Sequence, residues 1–153
     1  MKAETKKILL EFDEIGSYET PKDFDYDELE LHIEKFKTKL ENIFNSQFYI
    51  DNQIQDASFI CDIKIPNEML KNNQTEYLYT IRFSNFGKLA TINGIENLNT
   101  KNLEIIKTEL KNYDFIFLEP NEIDFDYDGK FENFKNIHSE RNPTWFERYF
   151  DYL

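Results

Sequence analysis

Between Asp27 and Phe44, apolar residues recur at Leu29, Ile33, Phe36, Leu40 and Phe44, in steps of three and four. One helix with a single apolar stripe must bury that stripe against something else. The next segments have a different period. In Ser58 to Ile65, the residues Phe59, Cys61, Ile63 and Ile65 alternate and share one expected face, and Pro66 closes the run. Tyr77, Tyr79, Ile81 and Phe83 alternate again; Asn85-Phe86-Gly87 supplies a turn, and Lys88 to Asn93 returns as an antiparallel partner. A period of 3.6 giving way to a period of two requires helices laid on a sheet.

The remaining segments extend this pattern. Lys101 to Asn112 carries Leu103, Ile106 and Leu110, with Asn99 or Thr100 as cap. Tyr113 to Leu118 is nearly continuous apolar and predicts a strand buried on both faces, ended by Pro120. Asn142-Pro143 reads as a cap followed by proline at the first helical position, opening an aromatic stripe of Trp145, Phe146, Tyr149, Phe150 and Leu153. So short a helix is not stable alone, so the stripe docks on its own core or on a partner. Lys7 to Ile15 suits a helix through Ile8, Phe12 and Ile15, or a strand through Ile8, Leu10 and Phe12. Residues 16–23 form a loop. The expected fold class is α+β: a mostly antiparallel sheet of about four to six strands, packed against two to four helices as a single layer pair. At 153 residues, with no linker, low-complexity tract or repeat, residues 1–153 form a single domain.

Composition bounds the chemistry. Thirty acidic residues face 18 basic ones, a formal charge of −12 that repels nucleic acid and anionic membranes and favours basic partners. The lone Cys61 permits no intrachain disulfide and sits among core positions, as a buried structural thiol. The apolar run Ile8 to Leu10 is too short for a signal-peptide core, and no stretch approaches the ~20 apolar residues of a membrane span. These features predict a cytoplasmic protein. His32, at the edge of the first helical stripe, and His138, in a polar loop, are the only imidazoles, and the four glycines are scattered singly. No hydrolase elbow, Cys-His pair or phosphate-cradling loop is spelled out, which argues against an enzyme and against a bound cofactor.

Two acidic stretches stand out. Glu11 to Glu30 holds nine acidic residues and one lysine; Glu119 to Glu132 holds six and one. Each contains the pentamer Asp-Phe-Asp-Tyr-Asp, at 23–27 and at 124–128. Asp27 and Glu30 resemble a capping box at the helix start. Asp124, Asp126, Asp128 and Gly129 match the first half of a calcium loop, with Glu132 at the ninth position, but Lys135 stands where the closing glutamate belongs. The plainer account is a tight Asp128-Gly129 turn with Phe125 and Tyr127 facing inward. If the fold joins the stretches, Asp23, Asp25, Tyr26, Asp27, Asp124, Asp126, Tyr127, Asp128 and Glu132 form one acidic, aromatic-studded face for a basic partner, with Tyr18 beside them; otherwise they are solvated charge.

Three pieces, Gln55-Asp-Ala-Ser-Phe-Ile-Cys61, Ile81-Arg-Phe-Ser-Asn-Phe-Gly87 and Trp145-Phe-Glu-Arg-Tyr-Phe-Asp-Tyr-Leu153, resemble small acidic bacterial immunity proteins of polymorphic or contact-dependent toxin systems. The resemblance implies a cytosolic inhibitor that binds and neutralises a cognate toxin domain, such as a basic nuclease. It carries over no individual functional residue. The competing expectations are an acidic structural or adaptor domain, a DNA mimic, a calcium-binding module and an enzyme of another kind.

Overall fold

The computed structural model describes residues 1–71 and 79–153. Tyr77, expected to begin a strand, lies outside the described residues. The chain runs α1 (Ala3–Glu11), α2 (Tyr26–Phe44), β1 (Tyr49–Asp51), β2 (Phe59–Lys64), β3 (Thr80–Ser84), β4 (Leu89–Asn93), α3 (Thr100–Asn112), β5 (Ile116–Phe117), α4 (Pro120–Ile123), α5 (Glu132–Lys135) and α6 (Trp145–Phe150). The fold is α+β, as the change of period requires. One five-stranded sheet runs in the order β1-β2-β3-β4-β5. The first four strands form an antiparallel meander, and β5 returns parallel to β4 after the α3 crossover.

Alternation along the strands gives the sheet one apolar face and one on which Leu89 stands among the polar Asp62, Arg82, Ser84 and Thr91. Cys61, Ile63, Ile81, Phe83, Ala90 and Ile92 belong to one core, where Leu29, Ile33, Phe36 and Leu40 of α2 and Ile106 and Leu110 of α3 cover the sheet. This is the expected helix-on-sheet pair. The other face is covered as well. Leu89 there joins Leu9 of α1, Ile123 of α4, Phe134 of α5, and Trp145, Tyr149 and Phe150 of α6. The four-residue helices α4 and α5 carry too few turns to show a period, so that part of the second layer is the less visible one in sequence. The C-terminal stripe thus docks on its own sheet: Trp145, Tyr149 and Phe150 are fully buried, although Leu153 stays exposed. The ambiguous N-terminal segment is helical only through Glu11, where α1 ends, and Phe12 to Ile15 lie beyond the helix.

Three boundaries differ from expectation, each for a local reason. A β-bulge between Phe59 and Cys61 breaks the alternation of β2, so Phe59 does not share the face of Cys61. Its ring lies beneath the Arg82 guanidinium instead, 3.8 Å from the ring centroid. The predicted strand over 113–118 shrinks to Ile116 and Phe117, because Tyr113 caps α3 and Asp114 takes a left-handed φ of 60° that turns the chain first. Neither strand residue is fully buried. At the C-terminus the N-cap is Thr144, not Asn142: Thr144 and Glu147 form a reciprocal capping box, which places Pro143 outside the helix. In the β3–β4 turn, Gly87 has φ 58° and backs onto the Phe12 ring, where a Cβ would collide. Only glycine suits both demands.

Candidate partner-binding face

The two acidic stretches end in different surroundings. At the start of α2, Asp25 is the N-cap and accepts from the Glu28 N–H at 3.0 Å. The cap therefore lies two residues before the expected Asp27–Glu30 box. Phe24, just outside the cap, and Leu29, in the second turn, both pack into the α2-side core, as in a hydrophobic staple. Packing Phe24 inward leaves Asp23, Asp25, Tyr26, Asp27 and Glu28 exposed. The Tyr26 hydroxyl donates to Glu30 Oε1 at 3.2 Å, and Asn52 Nδ2 donates to the same oxygen at 2.8 Å. The asparagine ties the helix to the end of β1, where Tyr49 and Asp51 are exposed. Among the described residues, no cation lies within ion-pair distance of Asp23, Asp25, Asp27, Glu28, Glu30 or Asp51.

The negative field of this end reaches the core. Burial pushes the Cys61 thiol well above its ordinary pKa, and the carboxylates of Asp62, Glu30, Glu34 and Asp51 push it further the same way. A thiol held protonated among apolar side chains is structural, as expected from its place in the strand.

The second stretch is largely neutralised. Lys107 pairs with Glu119 at 2.5 Å, Lys2 with Glu122 at 2.9 Å, Lys6 with Asp128, and Lys135 with Glu132 at 2.5 Å. Asp128 also accepts from the Trp145 indole at 3.0 Å, and Asp126 accepts from Asn142 Nδ2 at 3.1 Å. Tyr127 is buried, so it is no part of an exposed face. Phe125, expected to face inward, is 45% exposed; it lines a surface cavity of about 720 Å³ with Met1, Lys2, Lys6, Asp124, Asp126 and Asp128. Of the half calcium loop, Asp126 and Asp128 are thus engaged separately, and Asp124 is exposed, its carboxylate with no hydrogen-bond or ion-pair partner among the described residues. Among the described residues no three His, Cys, Asp or Glu side chains gather as a metal site.

The segments around these stretches do meet, but through a buried centre. Asp13 and Arg148 form an ion pair of 3.1 Å with both side chains fully buried. The second Asp13 oxygen accepts from the Tyr127 hydroxyl at 2.7 Å and the Lys130 N–H at 2.6 Å. Arg148 also donates to the carbonyl of Glu14 at 3.0 Å and stands over the Phe86 ring. Burial, reinforced by the Asp13 carboxylate, pushes the Tyr127 hydroxyl far above its ordinary range, so it donates and stays neutral. With each charge paired and its hydrogen bonds met, this centre anchors the chain ends. Sequence reading misses it, although a signal exists: only three of the 18 basic residues are arginine, and Arg148 sits inside an aromatic stripe. The other two arginines also bind carboxylates, Arg82 to Asp62 at 2.8 Å and Arg141 to Glu147 at 2.5 Å.

The three pieces that carry the family resemblance converge at one end of β2. The Ser58 N–H donates to the Asp151 carbonyl at 2.9 Å, the Asn85 N–H to the Ser58 carbonyl at 2.9 Å, and the Leu153 N–H to the Asp56 carbonyl at 2.8 Å. Neither histidine sits beside a nucleophile: His32 Nε2 contacts the Tyr113 carbonyl, and His138 Nε2 lies 2.8 Å from a Glu147 carboxylate already held by Arg141. The α2–β1 face has charge to spare and can attract and orient a cationic surface. Compared with known proteins, the chain matches no family model, no curated protein and no solved structure.

Proposed function

We propose that this chain is a protein-binding inhibitor of the immunity type, which holds a basic toxin domain against the face formed by the start of α2 and the end of β1. The observation that carries the reading is the uncompensated charge there. Asp23, Asp25, Asp27, Glu28, Glu30 and Asp51 have no cationic partner among the described residues. Exposed Tyr26, Leu31 and Tyr49 lie on the same two elements. Carboxylates speed the encounter with a basic surface, and half-exposed aromatic side chains supply contact area at low entropic cost. Apart from the Asp25 cap and the first-turn placement of Asp27 and Glu28, folding gains little from unpaired acids gathered on adjoining elements. The resemblance of the three converging pieces to immunity proteins supports the same reading.

The test is to look for a toxin gene beside the gene for this chain and to co-express the chain with that toxin's C-terminal domain. The expected result is rescued growth and a complex that survives purification at low salt and weakens as salt rises. Unrescued growth together with failure to co-purify refutes the immunity reading.

A further inference from the structure

We infer that the outer edge of β1 accepts an extended, lysine- or arginine-bearing segment of the partner as a sixth strand, an inference that rests on the protein-binding reading above. The strand order leaves β1 paired with β2 alone. The ladder fixes which of its groups are free. Ile65 N–H donates to the Tyr79 carbonyl at 2.9 Å, one position beyond the Lys64–Thr80 pair. Odd-numbered residues at this end of β2 therefore bond toward β3, and Asp62 and Lys64 bond toward β1. Their partners are Asp51 and Tyr49. The peptide N–H and C=O of Ile50 must then point away from the sheet, and no loop or turn backbone among the described residues bonds to them.

Exposed edges are commonly blunted by brevity, charge, proline or a bulge within the edge strand. β1 is brief and carries the charge of Asp51, which favours a basic partner over other strands; it contains no proline and no lysine, and the bulge at Phe59/Cys61 lies on β2 beyond the stretch that β1 pairs with. A depression of about 410 Å³ runs along the edge, lined by Tyr49, Ile50, Asp51, Asn52, Gln53 and Lys64. One end of it is acidic: Asp51 lies there, and Asn52 holds Glu30 beside it at 2.8 Å. Lys64 stands opposite Tyr49, at the other end. A second copy of this chain is a poor occupant, because edge-to-edge pairing would bring two chains of formal charge −12 together around Asp51 and Glu30. A basic strand gains the ladder and the charge together, with its cations opposite Asp51 and Glu30.

The experiment follows the backbone amide of Ile50 by hydrogen exchange in the full-length chain. The probe is a seven-residue peptide of alternating lysine and valine. At ten times its Kd, the expected slowing of Ile50 exchange is about tenfold. The same peptide N-methylated on alternate amides keeps its charge and loses its ladder, and a glutamate–valine peptide loses the attraction; neither is expected to protect Ile50. Asp51→Lys, at an exposed position, should weaken the protection while leaving the melting temperature in place. The inference is overturned if the lysine peptide fails to bind or leaves Ile50 unprotected, or if the N-methylated peptide protects it equally. The two proposals fail separately. A chain that rescues growth but shows unchanged Ile50 exchange in its toxin complex loses only the edge. One that protects Ile50 with peptide but rescues no growth loses only the immunity reading.

Discussion

The pentamer Asp-Phe-Asp-Tyr-Asp occurs twice in this chain, and the fold uses its two copies in opposite senses. At 23–27 the phenylalanine packs inward as part of a helix staple, and Tyr26 is left 42% exposed. At 124–128 the tyrosine is buried, with 4% exposure, and the phenylalanine is 45% exposed. What decides is the neighbouring chain. Asp25 is followed by a helix, whose cap geometry fixes which side chain turns toward the core. Asp126 is bridged to Thr144, with the Tyr127 N–H on the Pro143 carbonyl at 2.7 Å, and Asp13 stands ready for the hydroxyl. The first copy keeps its charge available; in the second, Asp128 is held by Lys6 and the Trp145 indole and Asp126 by the Asn142 amide, while Asp124 stays exposed. Identical local sequence therefore yields a surface in one place and an anchor in the other.

The sharpest way to break this contrast is to cut the anchor. Arg148→Met leaves Asp13 buried without its cation, and the expected loss of stability is about 3–5 kcal/mol, read by urea denaturation. A loss below about 1 kcal/mol would mean that water reaches Asp13 and that the second copy is no more structural than the first. The matched tyrosines come next. Tyr127→Phe removes the hydroxyl that serves both Asp13 and the Phe131 N–H, so a cost of about 1–3 kcal/mol is expected. Tyr26→Phe should stay within about 0.5 kcal/mol of the parent. Equal costs would erase the distinction between the copies.

The charges supply the complementary measurement, with a smaller effect. Reversing Asp23, Asp27 and Glu28 to lysine spares the Asp25 cap and should slow association with the toxin domain about tenfold at low salt, with a flatter salt dependence. Reversing Asp124 and Asp126 should change the rate far less, because Lys2 and Lys6 line the same cavity and offset the local field. Surface plasmon resonance at two ionic strengths separates the cases. The opposite ranking would move the interface to the Phe125 cavity.

Much of this fold is legible in the sequence, and the illegible parts share a cause. The α2 stripe, the β3–β4 hairpin and α3 announce themselves because each has enough residues to establish a period. β1 has three residues and α4 and α5 four each, so their placement is decided by tertiary contacts that no local pattern records; β5 shows as an apolar run, but its two-residue extent is set by the turn at Asp114. The candidate face divides along the same line. Asp23, Asp25, Tyr26 and Asp27 can be picked out as an acidic cluster with an aromatic, but Glu30, Tyr49, Asp51 and Asn52 join them only because β1 ends beside α2. Tyr127 could not be excluded from sequence, because its burial depends on Asp13, 114 residues earlier. The resemblance to immunity proteins leaves this division untouched, since it assigns no individual residue a role.

The gentlest test is acid, and it acts on the anchored copy through α6. Glu147 completes the capping box at Thr144, the residue bridged to Asp126. The Arg141 guanidinium, with help from the Thr144 N–H and His138, holds its carboxyl down at about 2 against an ordinary value of 4.5. A carboxyl depressed by folding contributes stability that is fully present above the ordinary value and is lost as pH falls through the folded one. This contribution should therefore decline from about pH 4.5 and be gone near pH 2. Arg141→Gln removes the largest cause of the depression, so the variant should melt slightly below the parent at pH 7, with the gap closing across that window. Because Arg141 is largely exposed, the gap should be the smallest of the effects considered. A gap that persists undiminished at pH 2 would show that Arg141 acts through packing, and that the second copy is held without help from the Glu147 charge.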